Sequence, residues 1–217
     1  MDEGQALLEG IAAEILEETG CDEPPVDAFE LAELCGCEVR PGRRGGGGGR
    51  RGDVILVDVT ARTVRQHGVV AHELGHWALE RAGEDDSEDG ARYLGGAFML
   101  PRRPFERDLD ATSWDLQALR ARHLNASAEM IARRIVALRD GVASIWDQGK
   151  LRRRVSSPWL PEPFRRPTRL ERELVAEVLE GGETVRADSM IWAVPVFDRG
   201  WRRVIVVAEA EQLSLRF

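Results

Sequence analysis

The run His72-Glu73-Leu74-Gly75-His76 places two imidazoles four residues apart with a carboxylate next to the first. On a helix, residues i and i+4 share a face with Cβ atoms roughly 5–6 Å apart, close enough to hold one ion between them. Glu73 follows the first histidine directly, so its carboxylate stands beside such an ion and not on it. There it can take a proton from a water held on the metal, the arrangement used in zinc-assisted hydrolysis. The competing account is two surface histidines beside an acid on an ordinary helix.

Zinc hydrolysis requires a third protein ligand and an open fourth position. No further histidine follows closely. His67 precedes His72 by five residues, roughly 140° round a helix, and does not join the pair. Acids do follow, at Glu84, Asp85, Asp86, Glu88 and Asp89. Glu88 is favoured among them, because Ala91 and Gly95 at i+3 and i+7 make a smooth stripe that lets its helix approach the histidine helix. Asp85 and Asp86 read better as complements to the positive end of that helix, an account that competes for Glu88 as well. Tyr93 and His123 are candidate transition-state donors that spacing alone does not place. Trp77 reads as packing, and Cys35-Gly36-Cys37, with no second pair, reads as half-buried thiols.

The elements that must position these groups follow from periodicity. Helices are expected over Gln5–Thr19, over a short stretch capped by Asp27, over Thr63–Arg81, over about Ser87–Leu100 and up to stops at Pro101 and Pro104. Cys37–Arg40 and Asp53–Val59 read as strands, with the five glycines Gly45–Gly49 as a mobile loop between them. Two short helices, about Trp114–Arg122 and Ala128–Asp140, form a helix-turn-helix-like pair. A hairpin of Val142–Trp146 and Leu151–Val155 turns at Gln148 and Gly149. Pro158, Pro161, Pro163 and Pro167 mark a linker. After it come a helix over Glu171–Leu179 and strands over Met190–Phe197 and Arg203–Glu209, turning at Asp198–Gly200.

The 217 residues carry 30 basic and 38 acidic side chains, for a net charge of −8. That balance argues against a dedicated nucleic-acid binder, although arginines cluster around the glycine run and between Lys150 and Arg172. Arg120, Arg122, Arg133, Arg134 and Arg139 lie on the helix pair, but Ala128, Ile131, Ala132, Ile135 and Val136 read as core and not as a base-reading face. No run is long enough to span a membrane, the acidic start is unlike a signal peptide, and three cysteines make no disulfide framework. A cytoplasmic protein is the expectation.

Beyond the pentapeptide, residues 5–140 resemble the ImmA/IrrE-type metallopeptidases. The resemblance is carried by "PPVDAFELAELCGCEV", "RQHGVVAHELGHWAL" and "EDGARYLGGAFMLPRRPF". The last is similar to the family's Glu-x-x-Ala-Asn-x-Phe-Ala-Ala-x-Leu-Leu-Met-Pro, with Arg92 at the Asn position, Leu94 at the Phe, Gly95-Gly96 at the Ala pair and Leu100 at the Met. The resemblance implies a zincin-like fold in which His72, His76 and Glu88 bind one zinc per chain and Glu73 is the catalytic base. It also implies a protein substrate, a helix-turn-helix transcriptional repressor whose cleavage derepresses stress or mobile-element genes.

The expected architecture is therefore α+β. A mainly helical peptidase domain with a small sheet spans 1–112, and the helix-turn-helix-like pair with its hairpin spans 113–155. A Pro-rich linker (156–168) and a small C-terminal α+β segment (169–217) follow. The expected function is that of a zinc-dependent endopeptidase. The alternative is a non-catalytic regulatory or DNA-binding protein that keeps the pentapeptide as a relic.

Overall fold

The computed structural model describes residues 3–43, 45, 48–157, 160, 166–198 and 200–214. Pro158, Pro161 and Pro163 of the expected linker, Arg44, Gly46 and Gly47 around the glycine run, and Arg199 of the expected turn lie outside the described residues. The fold is mixed α+β and divides into two compact units, one comprising residues 1–105 and 122–127 and the other 106–121 and 128–217.

The first unit begins with α1 (Glu3–Thr19) and α2 (Ala28–Leu34). Asp27 caps α2 as expected, its Oδ1 accepting the Phe29 and Glu30 amides. Three strands follow, β1 (Glu38–Pro41), β2 (Gly49–Arg51) and β3 (Val54–Val57), in the order β1-β3-β2. β3 pairs in parallel with β1 and antiparallel with β2. β2 lies at the end of what the sequence reads as a loop, because glycine-rich segments give no strand signal. Ile55 and Val57 of β3 are buried, and β3 packs on α3 (Thr63–Ala82).

Val70, Ala71, Leu74, Ala78 and Leu79 of α3 are buried, and α3 ends at Gly83 in the left-handed conformation, φ 72°. The chain then returns through α4 (Glu88–Met99), whose N-cap Ser87 accepts the Gly90 amide. α4 packs against α3 and α1, burying Ala91, Leu94, Ala97 and Phe98. Pro101 ends this run, but Pro104 does not. It sits in the first turn of α5 (Arg102–Thr112), where proline costs no internal hydrogen bond. The division between the units falls within α5.

In the second unit, α6 (Leu116–Arg122) and α7 (Ala128–Leu138) are the expected helix pair. α7 packs on a five-stranded sheet, and its Ala128, Ile131, Ala132, Ile135 and Val136 are buried. The strands are β4 (Gly141–Asp147), β5 (Lys150–Ser156), β6 (Val185–Asp188), β7 (Ile191–Asp198) and β8 (Trp201–Glu209), with α8 (Arg169–Gly181) between β5 and β6 and α9 (Ala210–Ser214) at the end. The sheet order is β5-β4-β8-β7-β6, antiparallel throughout. The 141–156 hairpin and the strands after residue 169 thus belong to one sheet, with Gly141↔Glu209 through Asp147↔Arg203 in register. Val142, Trp146, Val204, Val206 and Ala208 share a core with Leu174, Val175 and Val178 of α8.

A buried ion pair fastens α8 to this sheet. Arg154 of β5 meets Glu171 of α8, with their side chains 4% and 2% exposed. Ser144 Oγ donates to Glu171 Oε1 at 2.9 Å, and the Thr168 amide donates to Oε2 at 2.8 Å within a capping box. The arginines of α7 and its end are engaged within the fold. Arg133 pairs with Glu129 at 2.8 Å, Arg139 pairs with Glu106 at 2.7 Å, and Arg134 is buried. Among the described residues, no helix is long and apolar enough to cross a membrane.

Candidate metal centre

His72 and His76 project from one face of α3, with ring centroids 4.8 Å apart and planes at 80°. Glu88, the first residue of α4, reaches both. Its Oε2 is 3.5 Å from His72 Nε2 and its Oε1 is 3.6 Å from His76 Nε2. Each of the three offers a ligand atom within 4.8 Å of the others. Tetrahedral ligands about 2.1 Å from a zinc ion stand roughly 3.4 Å from one another. The donor set and its spacing fit a single metal ion.

Close helix contact brings Glu88 this near. A Cβ built on Gly75 would lie 2.3 Å from the Ala91 carbonyl oxygen, and one on Gly95 would lie 3.0 Å from the Ala71 carbonyl oxygen. The small residues beneath Glu88 do what the sequence stripe implies, and Gly75 supplies the matching hollow on α3.

The electrostatics suit metal binding. Burial, reinforced by neighbouring His76, pushes the His72 pKa below its ordinary value and keeps the imidazole in the neutral form that binds metal. Burial also pushes the Glu73 carboxyl up. Glu88 and Asp86 add to that rise, while His76 and Arg50 oppose it. Glu73 is 9% exposed and is covered by the end of the glycine run, where a Cβ on Gly48 would meet Val69 Cγ1 at 2.2 Å and Glu73 Oε1 at 2.9 Å. The strand after Gly48 is tied to α3, since Arg50 Nη2 lies 2.5 Å from Glu80 Oε2.

One acid that reads better as a complement to the helix N-terminus stands elsewhere. Asp86 sits against Nδ1 of His76 in a very short contact, while the capping hydroxyl comes from Ser87. Arg92, at the position where the resembled family has Asn, pairs with Asp89 at 2.5 Å and stands 3.6 Å from Glu88 Oε2.

The remaining candidates have other roles. His67 is buried, accepts the Ala28 amide on Nδ1 at 3.2 Å and packs edge-on to Phe29. Tyr93 donates its hydroxyl to Glu9 at 2.7 Å, and His123 is buried against Phe105. Trp77 is half-buried, with Arg81 over its ring. Burial pushes the Cys35 and Cys37 thiols up to about 12 and about 11, so neither is a ready thiolate.

Residues 39–136, which contain every member of this centre, match one family. They form an IrrE N-terminal-like domain, Peptidase_M78. The Peptidase_M78 match runs from β1 to α7. The fold is also similar to that of a solved Mycobacterium tuberculosis protein described as a transcriptional regulator, with a TM-score of 0.73 at 17% identity. That similarity covers 96% of this chain and 77% of the other. At such identity it is a likeness of fold. No curated protein matches the chain.

Proposed function

We propose that the chain is a zinc-dependent endopeptidase acting on a helix-turn-helix transcriptional repressor. The observation that carries the reading is the convergence of His72, His76 and Glu88 beside buried Glu73. The Peptidase_M78 match supports the hydrolytic chemistry, and the resemblance to ImmA/IrrE-type enzymes supports the repressor as substrate.

His72 and His76 would hold zinc through nitrogen and Glu88 through oxygen. Zinc so held supplies Lewis acidity, polarising a peptide carbonyl and making water more acidic. Glu73 works beside the ion. Its carboxylate receives the proton of the attacking water and delivers it to the leaving amine nitrogen. A carboxyl whose pKa burial has raised is suited to carrying that proton between the two steps. Gly48 lies close over the carboxylate and has no side chain to crowd it.

The test is incubation of the zinc-loaded chain with a panel of purified helix-turn-helix repressors. One repressor should be cut at a discrete bond. Glu73→Gln, which keeps the side-chain shape and all three ligands, should lower cutting by roughly 10²–10⁴ while zinc stays bound. Cutting by Glu73→Gln at the wild-type rate would contradict the assignment of the base, and a panel left intact would contradict the substrate.

A further inference from the structure

We propose that Asp86 is the positioning residue of the metal centre, fixing His76 through Nδ1 so that Nε2 is presented to the ion. The inference rests on the reading of His72, His76 and Glu88 as metal ligands and adds a fourth residue to it.

An imidazole offers one nitrogen to a metal, and the hydrogen bond made by its other nitrogen decides which one. Asp86 Oδ1 lies against His76 Nδ1. A carboxylate only accepts, so the proton resides on Nδ1 and the lone pair on Nε2. Nε2 is the atom that faces Glu88, 3.6 Å from Oε1. The same carboxylate fixes the ring orientation and makes Nε2 a stronger donor to a cation.

The chain path makes this economical. α3 stops at Gly83, and within five residues the returning segment places three groups at the same end. Asp86 reaches His76, Ser87 caps α4, and Glu88 completes the ligand set. The Asp86 side chain is 55% exposed, so it fills no core space, whereas His76 is 15% exposed. Asp85, next in sequence and of equal charge, lines a groove with Leu8, Leu79 and Tyr93. The two acids differ in where they stand, which separates positioning from bulk charge.

The experiment measures zinc affinity of the purified full chain by competition with a chromophoric chelator. It compares wild type, Asp86→Ala, Asp86→Asn and Asp85→Ala, with thermal midpoints of the metal-free proteins alongside. Asp86→Ala should bind zinc about 10–100-fold more weakly, with its metal-free midpoint unchanged. Asp86→Asn keeps an acceptor oxygen without the charge and should recover part of that loss. Asp85→Ala should stay within about twofold of wild type. Nitrogen NMR of the metal-free chain should show His76 protonated on Nδ1 in wild type and a tautomer mixture in Asp86→Ala. The proposal is overturned if Asp86→Ala and Asp86→Asn both bind like wild type, or if Asp85→Ala loses as much affinity as Asp86→Ala. Should Asp86→Ala fold poorly, Asp86→Asn decides on affinity and tautomer alone. A wild-type chain that binds no zinc overturns the metal centre itself, a failure distinct from that of Asp86.

Discussion

Gly75 of α3 and Ala91 of α4 meet backbone to backbone, so closely that a Cβ on Gly75 would stand 2.3 Å from the Ala91 carbonyl oxygen. The crossing lies between the candidate ligands, since Gly75 is flanked by His72 and His76, and Ala91 is three residues after Glu88. A glycine inside a helix costs about 1 kcal/mol relative to alanine, and at Gly75 it permits this close contact. Gly75→Ala should lower the thermal midpoint despite the better helix former, because overpacking costs about 1–3 kcal/mol. Zinc affinity should fall with it as Glu88 is pushed away. A Gly75→Ala protein with a raised midpoint and undiminished affinity would contradict this account of the crossing.

Gly48 plays a different part. A methyl group there collides with Val69 and crowds Glu73 Oε1, a mobile carboxylate that can swing aside. Gly48→Ala should keep its zinc while losing at least about tenfold in hydrolysis, in the direction of Glu73→Gln. Combining the two substitutions should cost no more than Glu73→Gln alone, because both act through one carboxylate. Metal content and repressor cleavage measured on the same preparations check this.

The pattern of legibility follows from these contacts. The shared face of His72 and His76 is legible because helical spacing is local, and the approach of Glu88 because a small-residue stripe marks a close helix crossing. Asp86 reads better as a helix-end acid because helix N-termini attract acids, whatever else the side chain touches. Its partner His76 is ten residues away across a turn that the sequence does not orient. Pro104 reads as a stop and so hides α5, although proline is at home in a first helical turn. The hairpin at Gly149 was legible from its turn residues. The pairing of β4 with β8, about sixty residues apart, has no local signature, so the hairpin and the C-terminal strands read as separate pieces.

His67 makes stability depend on pH. Burial holds its pKa below the ordinary 6.5, against the opposing pull of Asp27 at 3.8 Å, and its Nδ1 is already accepting the Ala28 amide. Below pH 6.5 the unfolded chain takes up a proton that the folded chain resists. Stability is therefore lost as pH falls from about 6.5 through the lower folded pKa, and above that range the group contributes no slope. Denaturant midpoints measured from pH 8 to pH 5 should fall less steeply in His67→Asn than in wild type. Equal slopes would show that His67 is not the titrating group.

In the second unit, Glu171 accepts from Ser144, Thr168 and Arg154, with almost none of its side chain in water. Removing one member of a buried ion pair strands the other, at a cost of about 3–5 kcal/mol. Glu171→Ala should cost that much in chemical denaturation, whereas Glu173→Ala, which removes an exposed i,i+4 pair with Arg169, should cost under about 1 kcal/mol. Similar losses for both would show that burial of the pair is not what matters.

In the proposed enzyme, α3 and the start of α4 hold one zinc between them. Elemental analysis of the purified chain, beside His72→Ala/His76→Ala, reads this site out. About one zinc is expected per wild-type chain and none in a folded double variant, because one oxygen ligand from Glu88 does not retain the ion alone. Stoichiometric zinc in the double variant, or none in a wild-type chain offered zinc in excess, would contradict it.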